Sequence, residues 1–499
     1  MSRYLPLLAA AAACASIPAI AAQEPGQQIE RWDFFELRLP GPSAGNPFTE
    51  VRFSAEFRYQ QRTIEIPGFY DGDGAYVVRF MPDEVGEWSY TTHSGTAVLA
   101  GKSGKFVCKK AGPANHGPVA VSGTFHFVYA DGTAYYPIGT TCYGWSHQTD
   151  ELEQRTLETL RHSPFNKMRM LVFPHYARDR LTPREFPYIR NAEGREDFTR
   201  FNPEFFQHQD RRIRDLRDLG IEADLILFHP YGNVPYMKMP AEADDLYVRY
   251  VVARYAAFRN VWWSMANEYD FLRDKTMADW DRFFRIVQDT DPYHHLRSIH
   301  NSGPMYDHGK PWVTHVSVQS HDFDKTPVWL SAYNKPVIFD ECQYEGDSSA
   351  RWGNLSGEEM TRRFWLAAAL GAYAGHSETY TDSAHKLWLA HGGSLLGESV
   401  SRIAFMRKIL EETGPLTAQP ENYYPLAGRK GQYYLYYFDY HQPASYEFTL
   451  PEGARYRAEW IDPWQMTVTP LEGTLEGGKV RLKLPRKPYM AVRIRKVER

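Results

Sequence analysis

Three regimes of hydrophobic patterning follow one another along the chain. From about residue 28 to 116, apolar and polar residues alternate in short runs: RWDFFELRLPG, TEVRFSAEFRY, RTIEIPGFYDGDG, AYVVRFMPDEVGEWSYTTHSG and GKFVCKK. Gly, Pro, Asp and Asn separate the runs, so the segment reads as strands joined by turns. Strands this short at this spacing predict a β-sandwich. Lys109 to Val119 (KKAGPANHGPV) reads as a linker.

The middle regime alternates strand-like with helix-like stretches. The strand candidates are YYPIGTTCYG, FNKMRMLVF, IEADLILFHP, VWWSMANE, LRSIHNS, WVTHVSVQSH, KPVIFDE and AGHSETYT. Between them lie helical patterns over 151–162, 203–219, 241–258, 277–290, 356–370 and 399–412. The central strands are continuously apolar, as strands covered on both faces must be. Eight strands in alternation with helices predict an α/β fold of the (β/α)8 barrel type. A doubly wound sheet is the alternative, and the lack of a Gly-rich phosphate loop counts against it. After about residue 421 short alternating runs return (QYYLYYFDY, SYEFTLP, RYRAEWIDPW, QMTVTPLEG, KVRLKLP, MAVRIRKV) and predict a second β-sandwich.

The first residues have a different character. Arg3 precedes an Ala-rich apolar run, Leu5 to Ile20, and Ala19-Ile20-Ala21 forms a cleavage pattern, so a signal peptide is expected and the product should be secreted or periplasmic. Cys14 lacks the preceding Leu of a lipidation site. The expected organisation is therefore 1–22 signal peptide, 23–116 N-terminal β-sandwich, 117–415 barrel and 416–499 C-terminal β-sandwich.

Composition narrows the function. The chain is 43% hydrophobic and carries a net charge of −4 without basic blocks, which argues against nucleic acid and anionic membranes. No run is long enough for a membrane span. Cys108, Cys142 and Cys342 are too few and too scattered for a disulfide framework. No CxxC or HExxH suggests a metal, and no cofactor is implied.

The chemistry sits where barrel strands end. Active sites of such barrels lie at the carboxyl ends of the strands, so a polar residue just past an apolar run is a catalytic candidate. In NVWWSMANEYD the fourth strand stops on Asn267 and Glu268; in KPVIFDECQYEGD the seventh stops on Glu341. Two converging carboxylates are the machinery of glycoside hydrolysis, one protonated to serve the leaving oxygen and one ionised. A separation of about 5–5.5 Å gives retention of configuration, and a wider one inversion. His229 and Tyr231 (FHPYG) and His300 and Asn301 (IHNSG) are further strand-end residues, expected to face substrate or support the site. Trp145, past the first strand, is a candidate for stacking on a sugar ring or for packing on the rim.

These motifs, with YYPIGTTCYGW, FNKMRMLVFPH, SMANEYD, VSVQSHDF and PVIFDE, resemble clan A glycoside hydrolases and, more closely, the apiosidase-like barrel family. The resemblance implies a retaining mechanism on a carbohydrate, with Glu268 as acid/base and Glu341 as nucleophile. It implies that Asn267 bonds the hydroxyl beside the anomeric carbon, that Arg169 holds Glu341, and that His321 bonds the nucleophile or the sugar. The sequence departs from clan A in having no Trp at the eighth strand end, where GHSETYTDS stands, although Trp388 follows. Asp340 reads as structural, while Asp270 and Glu345 are nearby carboxylates that could replace these assignments, Glu345 as the rival nucleophile. Two other functions stay open: a non-catalytic carbohydrate-binding barrel, and a metal-dependent barrel hydrolase using His229, His300 and His321.

Overall fold

The computed structural model describes residues 27–174, 185–232 and 235–497. The expected signal peptide and Cys14 lie outside the described residues. No helix among those described is long and apolar enough to cross a membrane.

The centre is an eight-stranded parallel barrel, closed but for one seam. Its elements in chain order are β1 (Gly139–Thr141), α1 (Asp150–Arg161), β2 (Lys167–Leu171), α2 (Pro203–Asp218), β3 (Glu222–Phe228), α3 (Ala241–Tyr255) and β4 (Val261–Ala266). They continue with α4 (Met277–Thr290), β5 (Arg297–Ser298), β6 (Val316–Gln319), α5 (Thr326–Tyr333), β7 (Val337–Glu341), α6 (Gly357–Ala369), β8 (Tyr373–His376) and α7 (Ser399–Thr413). The sheet runs β5-β4-β3-β2-β1-β8-β7-β6, so β5 and β6 meet without a ladder. Side chains stitch the gap: Thr314 Oγ1 accepts from Arg297 N at 2.7 Å, and His300 Nδ1 lies 3.0 Å from Ser317 Oγ.

The barrel departs from a strict (β/α)8 plan. Residues 299–315, between β5 and β6, contain no helix. The segment SGPMYDHGKPW supplies Gly and Pro where a helix would need donors and stiffness. Several helices use ordinary caps: Thr149 accepts from Leu152 N before α1, Thr276 and Asp279 form a capping box at α4, and Ser356 caps α6. The core lies between strands and helices, and every residue of β2, β3, β4 and β7 is buried. The expected linker leads into a three-stranded plug (Val119–Ser122, His126–Tyr129, Ala134–Tyr135). Its Val119, Phe127 and Tyr135 pack on Trp262, Leu296, Ile338 and Tyr373 and close the end of the barrel opposite the strand ends.

The N-terminal strands form a five-stranded and a three-stranded sheet around one core. Phe57 stacks on Phe80 with centroids 4.2 Å apart, and Phe35 on Phe106 at 4.4 Å. The strand Ala75–Phe80 is buried at all six positions because its outer face meets the barrel. There Arg79 forks onto Asp210 of α2 at 2.7 and 3.0 Å, and Arg254 of α3 binds the same carboxylate and Asp71, each at 2.7 Å.

The C-terminal strands were expected to make a second sandwich. They are linked into one hydrogen-bonded sheet by a single strand of 18 residues, Ser445–Asp462, around an apolar core of their own. It pairs with Leu475–Lys483 along its first half and with Ala491–Lys496 and Thr467–Pro470 along its second.

Candidate active site

The fourth strand stops where its backbone turns. Asn267 N still donates to Phe228 O at 2.9 Å, and Tyr269 N donates to His300 O at 3.0 Å. Between them Glu268 adopts φ +44°, in the left-handed region. A non-glycine residue costs roughly 1–3 kcal/mol there, a strain that surrounding contacts must hold. The turn takes Glu268 out of the ladder and leaves its side chain half-buried at the barrel mouth.

The seventh strand delivers Glu341 by a different device. Its ladder with β6 pairs Ser317 with Ile338 and then Gln319 with Glu341, so β7 holds one extra residue. The bulge lets two consecutive acids reach the interior. Asp340 bonds Lys167 at 2.7 Å and Ser317 at 2.6 Å, below the site; Glu341 faces the mouth.

Each carboxylate has its own set of donors. Glu268 Oε2 accepts from Tyr231 Oη at 2.8 Å, and Oε1 from Gln319 Nε2 at 3.2 Å. Glu341 Oε1 accepts from the Tyr143 hydroxyl and from Arg169 Nη1 at 3.4 Å; His300 Nε2 stands 3.6 Å away. Arg169 Nη2 donates to Asn267 Oδ1 at 2.6 Å, and Asn267 donates in turn to Tyr231 Oη. A continuous chain of bonds thus runs Glu341–Arg169–Asn267–Tyr231–Glu268.

The electrostatics mark Glu268 as the acid held toward its protonated form. Burial, then the charge of Glu341, pushes the Glu268 carboxyl above its ordinary range, and the bonds from Tyr231 and Gln319 only partly offset this. Burial first, then the charge of Glu341, pushes the Tyr143 phenol well up, and burial does the same for Tyr231, so both stay donors. Burial, with Arg169 beside it, holds His300 well below its usual value, hence neutral. Beneath them Lys167 bridges Asp224 at 2.6 Å and Asp340 at 2.7 Å. Burial alone would raise Asp340, but Lys167 and Arg169 outweigh it and hold the group ionised.

The other residues singled out in the sequence fall into place differently. His229 is buried, with Nε2 3.1 Å from Phe173 O and Nδ1 accepting from Tyr231 N at 3.2 Å, so it braces Tyr231. Asn301 uses its amide on backbone, accepting from Gln319 N at 3.3 Å and donating to Gly303 O at 3.1 Å. His321 lies past the end of β6 and is exposed, its ring edge-on to Trp352 at 6.3 Å; the histidine near Glu341 is His300, at 3.6 Å. Trp145 is no sugar platform. It is fully buried, with its indole N–H on Met170 Sδ at 3.4 Å. Trp388 is buried too, donating to Thr140 at 2.9 Å.

The rival acids are occupied elsewhere. Glu345 accepts from Glu398 N at 2.7 Å and Ser399 N at 3.1 Å, capping α7 from a distant loop. Asp270 accepts from Ser302 N at 2.6 Å and Gly303 N at 3.1 Å. Two groups of side chains have metal-like spacing among the described residues, Asp150/Glu153/His208 and Glu345/His376/Glu378, and neither contains His229, His300 or His321. Arg212 sits 2.8 Å from Glu153, and backbone N–H groups fill Glu345 and Glu378. A cleft of about 1140 Å³ between the N-terminal strands and α3 touches neither Glu268 nor Glu341.

Sequence reasoning passed over Gln319, Tyr143, Tyr344 and Trp352. The first was signalled by being a polar residue at the end of an apolar run, inside VSVQSHDF. The tyrosines cluster with Leu171, Ile226 and Leu389, and half-buried Tyr231 and Trp352 join them. The Tyr143 and Tyr231 rings lie 5.7 Å apart, each hydroxyl on one of the two glutamates.

Known proteins bear on this arrangement. Residues 122–394 match the family described as apiosidase-like, catalytic domain. Residues 28–95 and 423–495 match two domains of unknown function, DUF5060 and DUF5605. No curated protein matches. Among solved structures, a "putative glycoside hydrolase" from Bacteroides vulgatus is 38% identical, with a TM-score of 0.89 over 94% of this chain and 100% of that one. A glycoside hydrolase family 5 protein from the same organism is 15% identical with a TM-score of 0.60, covering 78% of this chain and 95% of that one, a likeness of fold.

Proposed function

Because this chain belongs to the apiosidase-like family and is a glycosidase, we propose that it hydrolyses O-glycosidic bonds of an oligo- or polysaccharide by a two-carboxylate, retaining mechanism. Glu268 acts as the acid/base and Glu341 as the nucleophile. The observation that carries the reading is that both strand-end glutamates enter one bonded network at the barrel mouth while their surroundings differ. Glu268, half-buried beside a like charge and neutral donors, is pushed toward the protonated form that a general acid needs. Glu341, beside the Arg169 guanidinium and the Tyr143 hydroxyl, has the partners of an ionised nucleophile.

In the first step Glu341 attacks the anomeric carbon while Glu268 gives its proton to the leaving oxygen. In the second, ionised Glu268 takes a proton from water, which displaces Glu341 and releases the sugar. Asn267, fixed by Arg169 at 2.6 Å, is set to bond the sugar next to the reacting carbon. Half-buried Trp352, with Tyr231 and Tyr344 around it, supplies ring faces for the sugar. The N-terminal apolar run and its cleavage pattern support export as part of this reading.

The test is a screen of purified protein on pectic, arabinan and algal oligosaccharides, with the anomeric configuration of the first product followed by NMR. Release of a sugar with retained configuration is expected. Inverted product would remove Glu341 from the role of nucleophile.

A further inference from the structure

Gln319 ends β6, and the bulge in β7 brings it level with Glu341. Neighbouring strands lie about 4.8 Å apart, so the ladder fixes its backbone close to that of Glu341. Its side chain reaches the other acid, with Nε2 donating to Glu268 Oε1 at 3.2 Å. Gln319 is itself anchored. Its N–H donates to Asn301 Oδ1 at 3.3 Å across the seam where β5 and β6 share no ladder.

We propose that Gln319 is a positioning residue, setting the Glu268 carboxyl group at a fixed place relative to Glu341 through one backbone register and one side-chain bond. The proposal rests on the two-carboxylate reading above. With Tyr231 on Oε2 and Gln319 on Oε1, each oxygen of Glu268 has one neutral donor and the plane of the carboxyl group is locked. A neutral amide suits a group that must alternate between acid and base. A lysine here would hold Glu268 ionised, an acid would repel it, and an aliphatic side chain would let it turn. The groups facing Glu268 are Tyr231 from the loop after β3, Glu341 from β7 and Asp270 from its own loop, so Gln319 stands among two carboxylates and a phenol.

The experiment reads Glu268 without needing substrate. Protein labelled with ¹³C in the glutamate carboxyl carbons is titrated by NMR, and the Glu268 resonance is identified by its loss in Glu268→Gln. The Gln319 bond favours the ionised form, so Gln319→Leu should raise the Glu268 midpoint by about half a pH unit or more, and Gln319→Glu should raise it further. Gln319→Asn, which keeps the amide but is one methylene short, should resemble Leu. If Gln319→Leu does not fold, Gln319→Asn, which adds no charge and shortens the side chain by one methylene, carries the same test. An unmoved midpoint in the folded variants overturns the proposal, whatever happens to activity. A shifted midpoint in a protein that cleaves none of the screened glycans upholds it and counts against the hydrolytic reading instead.

Discussion

The hydroxyl of Tyr231 donates to Glu268 Oε2 at 2.8 Å while it accepts from the side-chain amide of Asn267. That phenol therefore ties the acid to the residue assigned to the sugar. Its bond favours the ionised form of Glu268, whereas burial and Glu341 favour the protonated one. Tyr231→Phe removes the first influence. The carboxyl midpoint should rise, and activity, which falls as pH climbs through that midpoint, should persist to higher pH. Losing a hydrogen bond to a charged group costs about 1.5–3 kcal/mol, so kcat/KM should fall roughly 10- to 100-fold, read from its pH profile.

Glu268→Gln and Glu341→Gln should each lower kcat by about a thousandfold or more with the far-UV circular dichroism unchanged. Near-normal turnover in either variant would remove that residue from the chemistry.

Trp145 separates packing from binding. Trp145→Phe keeps a ring against Met170 and loses one N–H, so the melting temperature should drop by a few degrees, on the order of 1 kcal/mol, with KM unchanged. A large rise in KM would restore the sugar-stacking role.

Lys167 is fully buried between Asp224 and Asp340. Lys167→Met should destabilise the protein by about 3–5 kcal/mol in urea unfolding, because two buried carboxylates lose their cation. A change below about 1 kcal/mol would show that water or neighbouring donors already neutralise them.

Glu222, the first residue of β3, is raised to about 8 by burial, against the opposing Trp262 N–H and Arg259. A carboxyl whose folded value exceeds its unfolded one stabilises fully below the unfolded value and loses that contribution as pH rises through the folded one. This part of the stability should therefore fall between about pH 4.5 and 8. Glu222→Gln keeps an acceptor for Trp262 and cannot ionise. Its unfolding free energy, read by urea titration, should match the parent near pH 4.5 and exceed it at pH 8 by an amount on the order of 2–4 kcal/mol.

The sequence displayed some of this site and hid the rest for definable reasons. Glu268 and Glu341 were visible because a buried run followed by a carboxylate is a local signal. His321 was read as a site residue because β6 was drawn two residues too long; the strand ends at Gln319, and the histidine falls onto the exposed loop. Trp145 looked like rim because nothing local shows the turn Trp145–His147 folding its ring onto Met170. Helix α5 (TPVWLSAY) went unseen because it is short and apolar nearly throughout. SYEFTLP and RYRAEWIDPW read as two runs, yet they form one long strand with an irregularity between Leu450 and Arg455. Long-range partners, such as Glu345 capping α7, leave no trace in a local pattern.

The guanidinium pair Arg79 and Arg254, sharing Asp210 where the N-terminal sheets meet the barrel, has a consequence for inheritance. Shorn of its leading sheets, the barrel would expose Arg254 without Asp71, Asp210 without Arg79, and the wall that Ala75–Phe80 now covers. The two parts are thus poor candidates for shuffling: gene rearrangements that split them should yield insoluble products, and lineages should transmit them as a single cassette.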